Sequence, residues 1–134
     1  MIYGIGIDII DIRRIKRVIN KYGNRFKRKC FHENEIKTCE KRFNTEESFA
    51  KRYAAKEACA KALGTGLARG VFWKDIEVKN NQYGKPYIVL HKNAKKFIDS
   101  EVSKKPNIEI SLTDERDFAI ANVVIFRWKI KINF

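Results

Sequence analysis

The pattern at the start of the chain is an alternation of isoleucine with small or polar residues. Alternate residues point to opposite faces of a strand, so residues 2–12 predict a β-strand. One face would carry isoleucines, and the other would carry Gly4, Gly6 and Asp8. The glycines predict open space beside the carboxylate, which suits a metal ion or a ligand. The alternative is an aspartate that starts a turn or caps the next helix.

Helical spacing follows at once. Apolar residues recur at three- and four-residue intervals over residues 12–22, which predicts an amphipathic helix that is capped by Asp11 and ends at Gly23. Residues 31–42 predict a shorter helix with Ile36 and Cys39 facing inward.

The longest predicted helix covers residues 49–66 (FAKRYAAKEACAKALGTG). Its alanines favour helix, Gly64 and Gly66 are typical of a helix C-terminus, and Thr45 and Ser48 offer caps at its start. Four charged residues stand among the alanines: Arg52, Lys56, Glu57 and Lys61. Small neighbours allow a ligand to come close, so these charges could line a site. The alternative is an ordinary solvated pair between Glu57 and Lys61, one turn apart.

The second half of the chain predicts mainly β-structure. Residues 74–79 and 86–90 form the arms of a hairpin around a turn at residues 80–85. A helix over residues 93–102 follows, and two strands at residues 108–112 and 118–126 are joined by a polar turn at residues 113–117. Residues 127–134 are a possible C-terminal extension of one domain, residues 1–134.

Composition narrows the class of protein. The apolar fraction of 44% and the charged fraction of 34% indicate a soluble globular protein, and the first residues resemble neither a secretion signal nor a membrane span. Three cysteines without CxxC spacing indicate reduced thiols in the cytoplasm and argue against a zinc site. His32 and His91 are far apart in the sequence, which argues against a histidine-based metal centre.

The net charge of +13 predicts an acidic partner. No acidic residue lies between Asp11 and Glu33, and this interval carries nine basic ones: Arg13, Arg14, Lys16, Arg17, Lys21, Arg25, Lys27, Arg28 and Lys29. A run of one sign indicates a docking surface. Nucleic acid is an alternative partner, but RNP-type aromatic motifs and zinc-finger spacing are absent.

Two carboxylates on different elements are a common way to hold Mg²⁺, and Asp8 and Glu57 form such a pair. Arg52, Lys56 and Lys61 would then neutralise a phosphorylated substrate. A different Mg²⁺-dependent phosphotransferase is a second alternative. The GxxxxGK[ST] loop of ATP-using enzymes is absent, however.

Four motifs in order strengthen this interpretation: GIGIDIIDIRRI, FAKRYAAKEACAKALGTG, GKPYI and SLTDERDFAIANVVI. Together they resemble the motifs of the holo-acyl-carrier-protein synthases, the small class of 4′-phosphopantetheinyl transferases, across nearly the whole chain. The resemblance implies transfer of the phosphopantetheine arm of coenzyme A to a serine of apo acyl carrier protein. The other product would be adenosine 3′,5′-bisphosphate, and the reaction would support fatty acid biosynthesis.

The resemblance also implies roles for particular residues. Asp8 and Glu57 would be catalytic Mg²⁺ ligands. Coenzyme A would contact Arg52, Lys56, Lys61, Gly84 and Pro86. The acidic carrier protein would dock on Arg14 and the basic residues around it: Arg13, Arg17 and Lys21. Asp114 stands where many relatives have histidine, so the serine proton could pass to Asp114, to a metal-bound water or to Glu57.

The implied architecture is an α+β fold in which a small antiparallel sheet packs against the long central helix. The implied assembly is a homotrimer with active sites between subunits. The expected environment is the cytoplasm, with neither nucleic acid nor membrane as a partner.

Overall fold

The computed structural model of the protein describes residues 1–128 and has the expected α+β architecture. In chain order its elements are β1 (Ile2–Asp11), α1 (Ile12–Tyr22), α2 (Asn24–Cys30), α3 (Glu33–Glu40), α4 (Thr45–Leu63), a 3₁₀ turn (Trp73–Asp75), β2 (Ile76–Asn80), β3 (Pro86–Leu90), α5 (Lys92–Glu101), β4 (Asn107–Glu115) and β5 (Phe118–Phe126). The main sheet is antiparallel with the order β1-β5-β4, and β2 and β3 form a separate antiparallel hairpin.

The contact between β1 and α4 is the centre of the fold. A β-carbon on Gly4 would lie 1.9 Å from the Ala62 carbonyl oxygen, and one on Gly6 would lie 1.8 Å from the Ala58 carbonyl oxygen. The glycines therefore let the strand backbone rest directly on the helix backbone. The prediction that they leave open space beside Asp8 was wrong, because α4 fills that space.

The main sheet buries only one of its faces. Ala119, Ala121, Val123 and Ile125 of β5 are fully buried in the core together with the alanines of α4. The opposite face of β1 carries Ile5, Ile7 and Ile9, whose exposed fractions are 62%, 61% and 61%. The isoleucine face of the predicted strand is therefore uncovered in a single chain.

The α4 helix is confirmed, but its N-terminal cap is not the predicted one. Asn44 is the cap residue, the Ser48 hydroxyl is buried and donates to Cys39 Sγ at 3.4 Å, and Thr45 donates to the Arg42 carbonyl at 2.9 Å. At the other end, Gly64 adopts a left-handed conformation with φ of 84°, as a C-terminal glycine commonly does.

The sequence pattern predicted the bounds of some other elements correctly and missed one helix. The α1 helix has the predicted bounds, and the Asp11 carboxylate accepts a hydrogen bond from the Arg13 N–H at 2.9 Å as its cap. The α2 helix was missed, because residues 24–30 were read only as part of the basic run. The β5 strand has the predicted bounds, whereas β4 extends to Glu115 and leaves only residues 116–117 between the two strands.

Several boundaries shift by a few residues. The 3₁₀ turn takes the place of the first residues of the predicted strand at 74–79. Most of the predicted extension, from residue 129 onward, lies outside the described residues. Across residues 1–128, no helix combines the length and apolar character that crossing a bilayer requires.

Candidate active site

Asp8 lies on β1, two residues after Gly6, whose backbone rests on α4. Its side chain is 18% exposed, and Oδ1 lies 3.2 Å from the Lys61 ammonium. The same ammonium donates to the Ile7 carbonyl at 2.9 Å. The Lys61 side chain therefore reaches from α4 across to β1 and places its positive charge beside the Asp8 carboxylate.

Glu57 lies one helical turn before Lys61 on α4, so both side chains are on the same side of the helix. The Glu57 carboxylate accepts a hydrogen bond from the Trp73 indole N–H at 3.3 Å. Lys61 pairs with Asp8 instead of Glu57, so the alternative of a simple solvated pair on α4 was wrong. The structure thus brings Asp8, Glu57 and Lys61 to one edge of α4.

Two aromatic residues support the Glu57 side chain, and neither was predicted from the sequence to belong to the site. Tyr53 lies one turn before Glu57, and its ring stacks on Trp73 with a centroid distance of 6.3 Å. Burial raises the pKa of Tyr53 to about 12, and the charge of Glu57 adds to the shift. Helical spacing could have indicated Tyr53, whereas Trp73 comes from a distant segment and carried no local signal.

Arg52 lies on a different side of α4. At 100° per residue, the step of five positions from Arg52 to Glu57 separates their directions by about 140°. Arg52 is only 3% exposed, and its guanidinium donates to Asn80 Oδ1 at 2.7 Å. The Asn80 amide in turn donates to the Gly84 carbonyl at 3.1 Å. Arg52 is therefore joined to the predicted coenzyme-binding turn at Gly84 and Pro86, and this group is apart from Asp8.

Lys56 is fully buried, which differs from the expectation that it contacts a phosphate. Its ammonium pairs with Glu35 Oε1 at 2.7 Å and also donates to the carbonyls of Trp73, at 3.2 Å, and Ile76. These acceptors use all three of its hydrogens. Burial lowers the pKa of Lys56, while the adjacent Glu35 carboxylate opposes that shift. Lys56 therefore ties α4 to α3 and β2 within the core.

Asp114 is also separated from the Asp8 edge within one chain. In the sheet, β5 lies between β1 and β4, with Asp8 paired to Ala121 and Asp114 paired to Ala119. The Asp114 carboxylate lies 2.5 Å from the Lys51 ammonium near the start of α4. A single chain does not place Asp114 beside Asp8 and Glu57.

The basic run forms an exposed surface on α1. Arg14, Arg17 and Lys21 are exposed and lie on one side of the helix. The Arg13 guanidinium forms ion pairs with Asp11 at 2.7 Å and with Asp117 at 3.5 Å. The hydrogen bonds that Arg13 donates to Asp11 lower the pKa of the Asp11 carboxyl to about 2. Arg13 therefore offers less free charge to a partner than its neighbours do.

The chain is similar to known proteins over most of its length. Residues 4–123 match the model of the 4′-phosphopantetheinyl transferase superfamily. The chain is 48% identical over 127 residues to a holo-[acyl-carrier-protein] synthase of Rhizobium leguminosarum bv. trifolii, covering 93% of this chain and 95% of that relative.

Solved structures show the same likeness. A holo-[acyl-carrier-protein] synthase of Neisseria meningitidis superposes with a TM-score of 0.86 at 33% identity, covering 95% of this chain and 100% of that one. The synthase of Helicobacter pylori in complex with coenzyme A superposes with a TM-score of 0.79 at 30% identity, covering 91% of this chain and 99% of that one.

Proposed function

Because the chain belongs to the 4′-phosphopantetheinyl transferase superfamily, we propose that it transfers 4′-phosphopantetheine from coenzyme A to a serine of an apo acyl carrier protein. The serine oxygen attacks the phosphorus atom that carries the pantetheine arm. The bond from that phosphorus to the bridging oxygen breaks, and adenosine 3′,5′-bisphosphate leaves. The serine proton passes to a base. The holo carrier then serves fatty acid biosynthesis, and we place the reaction in the cytoplasm.

The observation that carries this proposal is the group of Asp8, Glu57 and Lys61 along one side of α4. Two carboxylates offer the hard oxygen ligands that Mg²⁺ prefers, and the Lys61 ammonium already lies against Asp8 as a cation would. Asp8 and Glu57 would hold Mg²⁺ here. The ion would neutralise the pyrophosphate and align it for displacement at phosphorus.

The residues of the chain divide the remaining tasks. Lys61 lies 3.2 Å from Asp8 and one helical turn from Glu57, and it would neutralise a phosphate oxygen of the bound coenzyme. Trp73 holds the Glu57 carboxylate in place through its indole N–H. Arg52 reaches the turn at Gly84 through Asn80, so we assign it to the adenosine end of coenzyme A. Lys56 has no hydrogen left for a phosphate and is not part of the proposed site.

We further propose that the active enzyme is a homotrimer. One chain leaves Ile5, Ile7 and Ile9 exposed, and an apolar face of this kind favours burial against another copy. One chain also keeps the Arg52 group and Asp114 away from Asp8. Assembly would let a neighbouring copy supply these groups to each site, including Asp114 as an acceptor of the serine proton.

The acidic carrier protein is proposed to dock on α1. Arg14, Arg17 and Lys21 present positive charge there that no carboxylate of residues 1–128 pairs with, and the charge of Arg14 acts on Tyr53 next to Glu57. A carrier held on α1 would thus lie close to the proposed metal ligands. Charge complementarity of this kind mainly accelerates encounter and fixes orientation.

The test is a mass measurement on purified apo carrier protein after incubation with the enzyme, coenzyme A and Mg²⁺. The wild-type enzyme should add one phosphopantetheine, and Asp8→Ala and Glu57→Ala should abolish the gain while leaving the circular dichroism spectrum unchanged. Glu33→Ala, which removes a carboxylate that is 83% exposed, is the matched control and should remain active. Full activity of Glu57→Ala would contradict the metal assignment.

A further inference from the structure

Two histidines that are far apart in the sequence meet in the fold, together with a buried acid. His32 immediately precedes α3, Glu77 lies in β2, and His91 immediately precedes α5. The two imidazole rings have a centroid distance of 4.7 Å, tilted by 49°. The expectation that their separation in the sequence argues against a histidine-based metal centre therefore does not hold.

The spacing of their polar atoms suits a metal ion. One ligand atom from each of His32, Glu77 and His91 lies within 4.8 Å of the other two. His91 Nε2 lies 2.9 Å from Glu77 Oε1. In a tetrahedral zinc site with bonds of about 2.0–2.1 Å, neighbouring ligand atoms are roughly 3.3 Å apart. One pair thus already has nearly the required spacing, and a small turn of the half-exposed His32 ring would bring in the third.

The surroundings supply what such a site needs. The Glu77 side chain is only 5% exposed, and the Lys79 ammonium is 4.0 Å from it, at the limit of an ion pair. His32 Nε2 faces the Lys74 carbonyl at 2.5 Å, and the His32 backbone N–H donates to Glu35 Oε1 at 3.0 Å. A nitrogen held by a carbonyl keeps its proton, and the other ring nitrogen then carries the lone pair that can bind a metal.

We propose that His32, Glu77 and His91 form a binding site for a divalent transition-metal ion such as Zn²⁺, separate from the Asp8–Glu57 pair. Two imidazoles and one carboxylate favour Zn²⁺ and similar ions, whereas Mg²⁺ prefers oxygen ligands alone. A water completes the fourth position, because His91 remains 35% exposed on the solvent side. To bind through Nε2, neutral His91 carries its ring hydrogen on Nδ1, so bonds to the metal replace the hydrogen bond between His91 Nε2 and Glu77.

The cysteines do not compete for this ion. Cys30, Cys39 and Cys59 are all free and buried. Burial raises the pKa of Cys30 to about 11 and that of Cys59 to about 12, so neither thiol is ionised at neutral pH. A thiolate is the form of cysteine that binds metal, so these buried thiols are poor ligands at neutral pH. The histidine cluster then offers nitrogen ligands to a transition-metal ion, which the Asp8–Glu57 pair does not.

An ion at this position would connect three segments that the chain otherwise joins by loops. It would fasten the base of the β2–β3 hairpin to the starts of α3 and α5. The same hairpin carries the turn at Gly84 and Pro86 at its far end. A bound ion should therefore stiffen the hairpin. It should also raise the melting temperature of the protein, because the ion binds the folded chain and not the unfolded one.

The test uses Co²⁺ as a spectroscopic probe and Zn²⁺ in calorimetry, both with excess Mg²⁺ present to fill oxygen-only sites. The wild-type chain should bind one Co²⁺ with the visible absorption of tetrahedral nitrogen coordination, and one Zn²⁺ should raise its melting temperature. His91→Ala should weaken binding by roughly 100-fold or more, since even the loss of an outer-shell partner costs about 10–100-fold. Asp8→Ala is the matched control and should bind both ions as the wild type does.

A second variant distinguishes loss of the metal site from loss of the fold. Glu77→Gln keeps the shape of the buried side chain and a hydrogen bond to His91 but removes the negative charge, so it should bind Co²⁺ more weakly at an unchanged metal-free melting temperature. Failure of the wild-type chain to bind either ion would overturn the proposal, as would binding that survives both His91→Ala and His32→Ala. Loss of binding in Asp8→Ala alone would place the ion at the Asp8–Glu57 pair and equally overturn it.

Discussion

Replacing Gly6 by alanine is the sharpest test of how β1 meets α4. The new β-carbon would lie 1.8 Å from the Ala58 carbonyl oxygen, about 1.6 Å short of an ordinary contact of 3.4 Å. The obstacle is helix backbone, which cannot rotate away as a side chain can. Overpacking with mobile neighbours costs about 1–3 kcal/mol, so we expect Gly6→Ala to lower the free energy of unfolding by about 3 kcal/mol or more.

Urea unfolding at a fixed protein concentration measures this loss. With a slope of about 2 kcal/mol/M, a loss of 3 kcal/mol lowers the midpoint by about 1.5 M. Fixed concentration matters because self-association adds to apparent stability. Transferase activity should fall as well, since β1 must move away from α4 and take Asp8 with it. Lys37→Ala, at a side chain that is 64% exposed, should leave the midpoint nearly unchanged. A Gly6→Ala protein within 0.5 kcal/mol of the wild type would refute the close backbone contact.

Four further variants or conditions test separate parts of the structure. Lys56→Met should destabilise the fold by about 3–5 kcal/mol in urea, because it leaves the buried Glu35 carboxylate unpaired. Arg14→Glu should raise the apparent KM for carrier protein and leave that for coenzyme A unchanged in steady-state kinetics. Ile7→Asp should shift the assembly toward monomer in sedimentation. Tyr53 has a pKa raised to about 12 in the folded chain, so its contribution to stability should be complete below pH 10 and lost between pH 10 and 12, measured by thermal unfolding across that range.

Three of these expectations have a matched control or a clear contrary outcome. Lys37→Glu places the same charge change as Arg14→Glu on α3, and it should leave the carrier KM unaltered. If Lys56→Met were stable but failed to bind coenzyme A, Lys56 would be a phosphate ligand after all. Tyr53→Phe should remove the loss of stability between pH 10 and 12, and an unchanged profile would show that another group is responsible.

Local patterns predicted the elements well because helices and strands repeat over a few residues. The α1 helix and its Asp11 cap followed from spacing, and so did the strands β3 and β5. The α2 helix was missed because its short basic segment buries only Cys30.

The errors at the site have a different origin, since they depend on which segments meet. Glycines next to an acid do not reveal that a helix backbone occupies the space beside them. A lysine among alanines does not reveal that Glu35 and two carbonyls surround its ammonium. Motif order predicts Asp8 and Glu57 as a pair, which stays a prediction. The partners of Glu57 and Lys56 both include Trp73, which the sequence did not connect to them.

The pairing of β1 with β5 has a consequence for how the chain folds during synthesis. The ribosome makes β1 first, yet the strand that completes its hydrogen bonding is the last element of the described chain. Until β5 emerges, the isoleucine-rich strand has no neighbour in the sheet, and an unpaired edge of that kind readily joins other chains. We therefore expect the nascent protein to depend on chaperone protection until translation has passed β5, and folding yield in a cell-free system should rise when a chaperone is added.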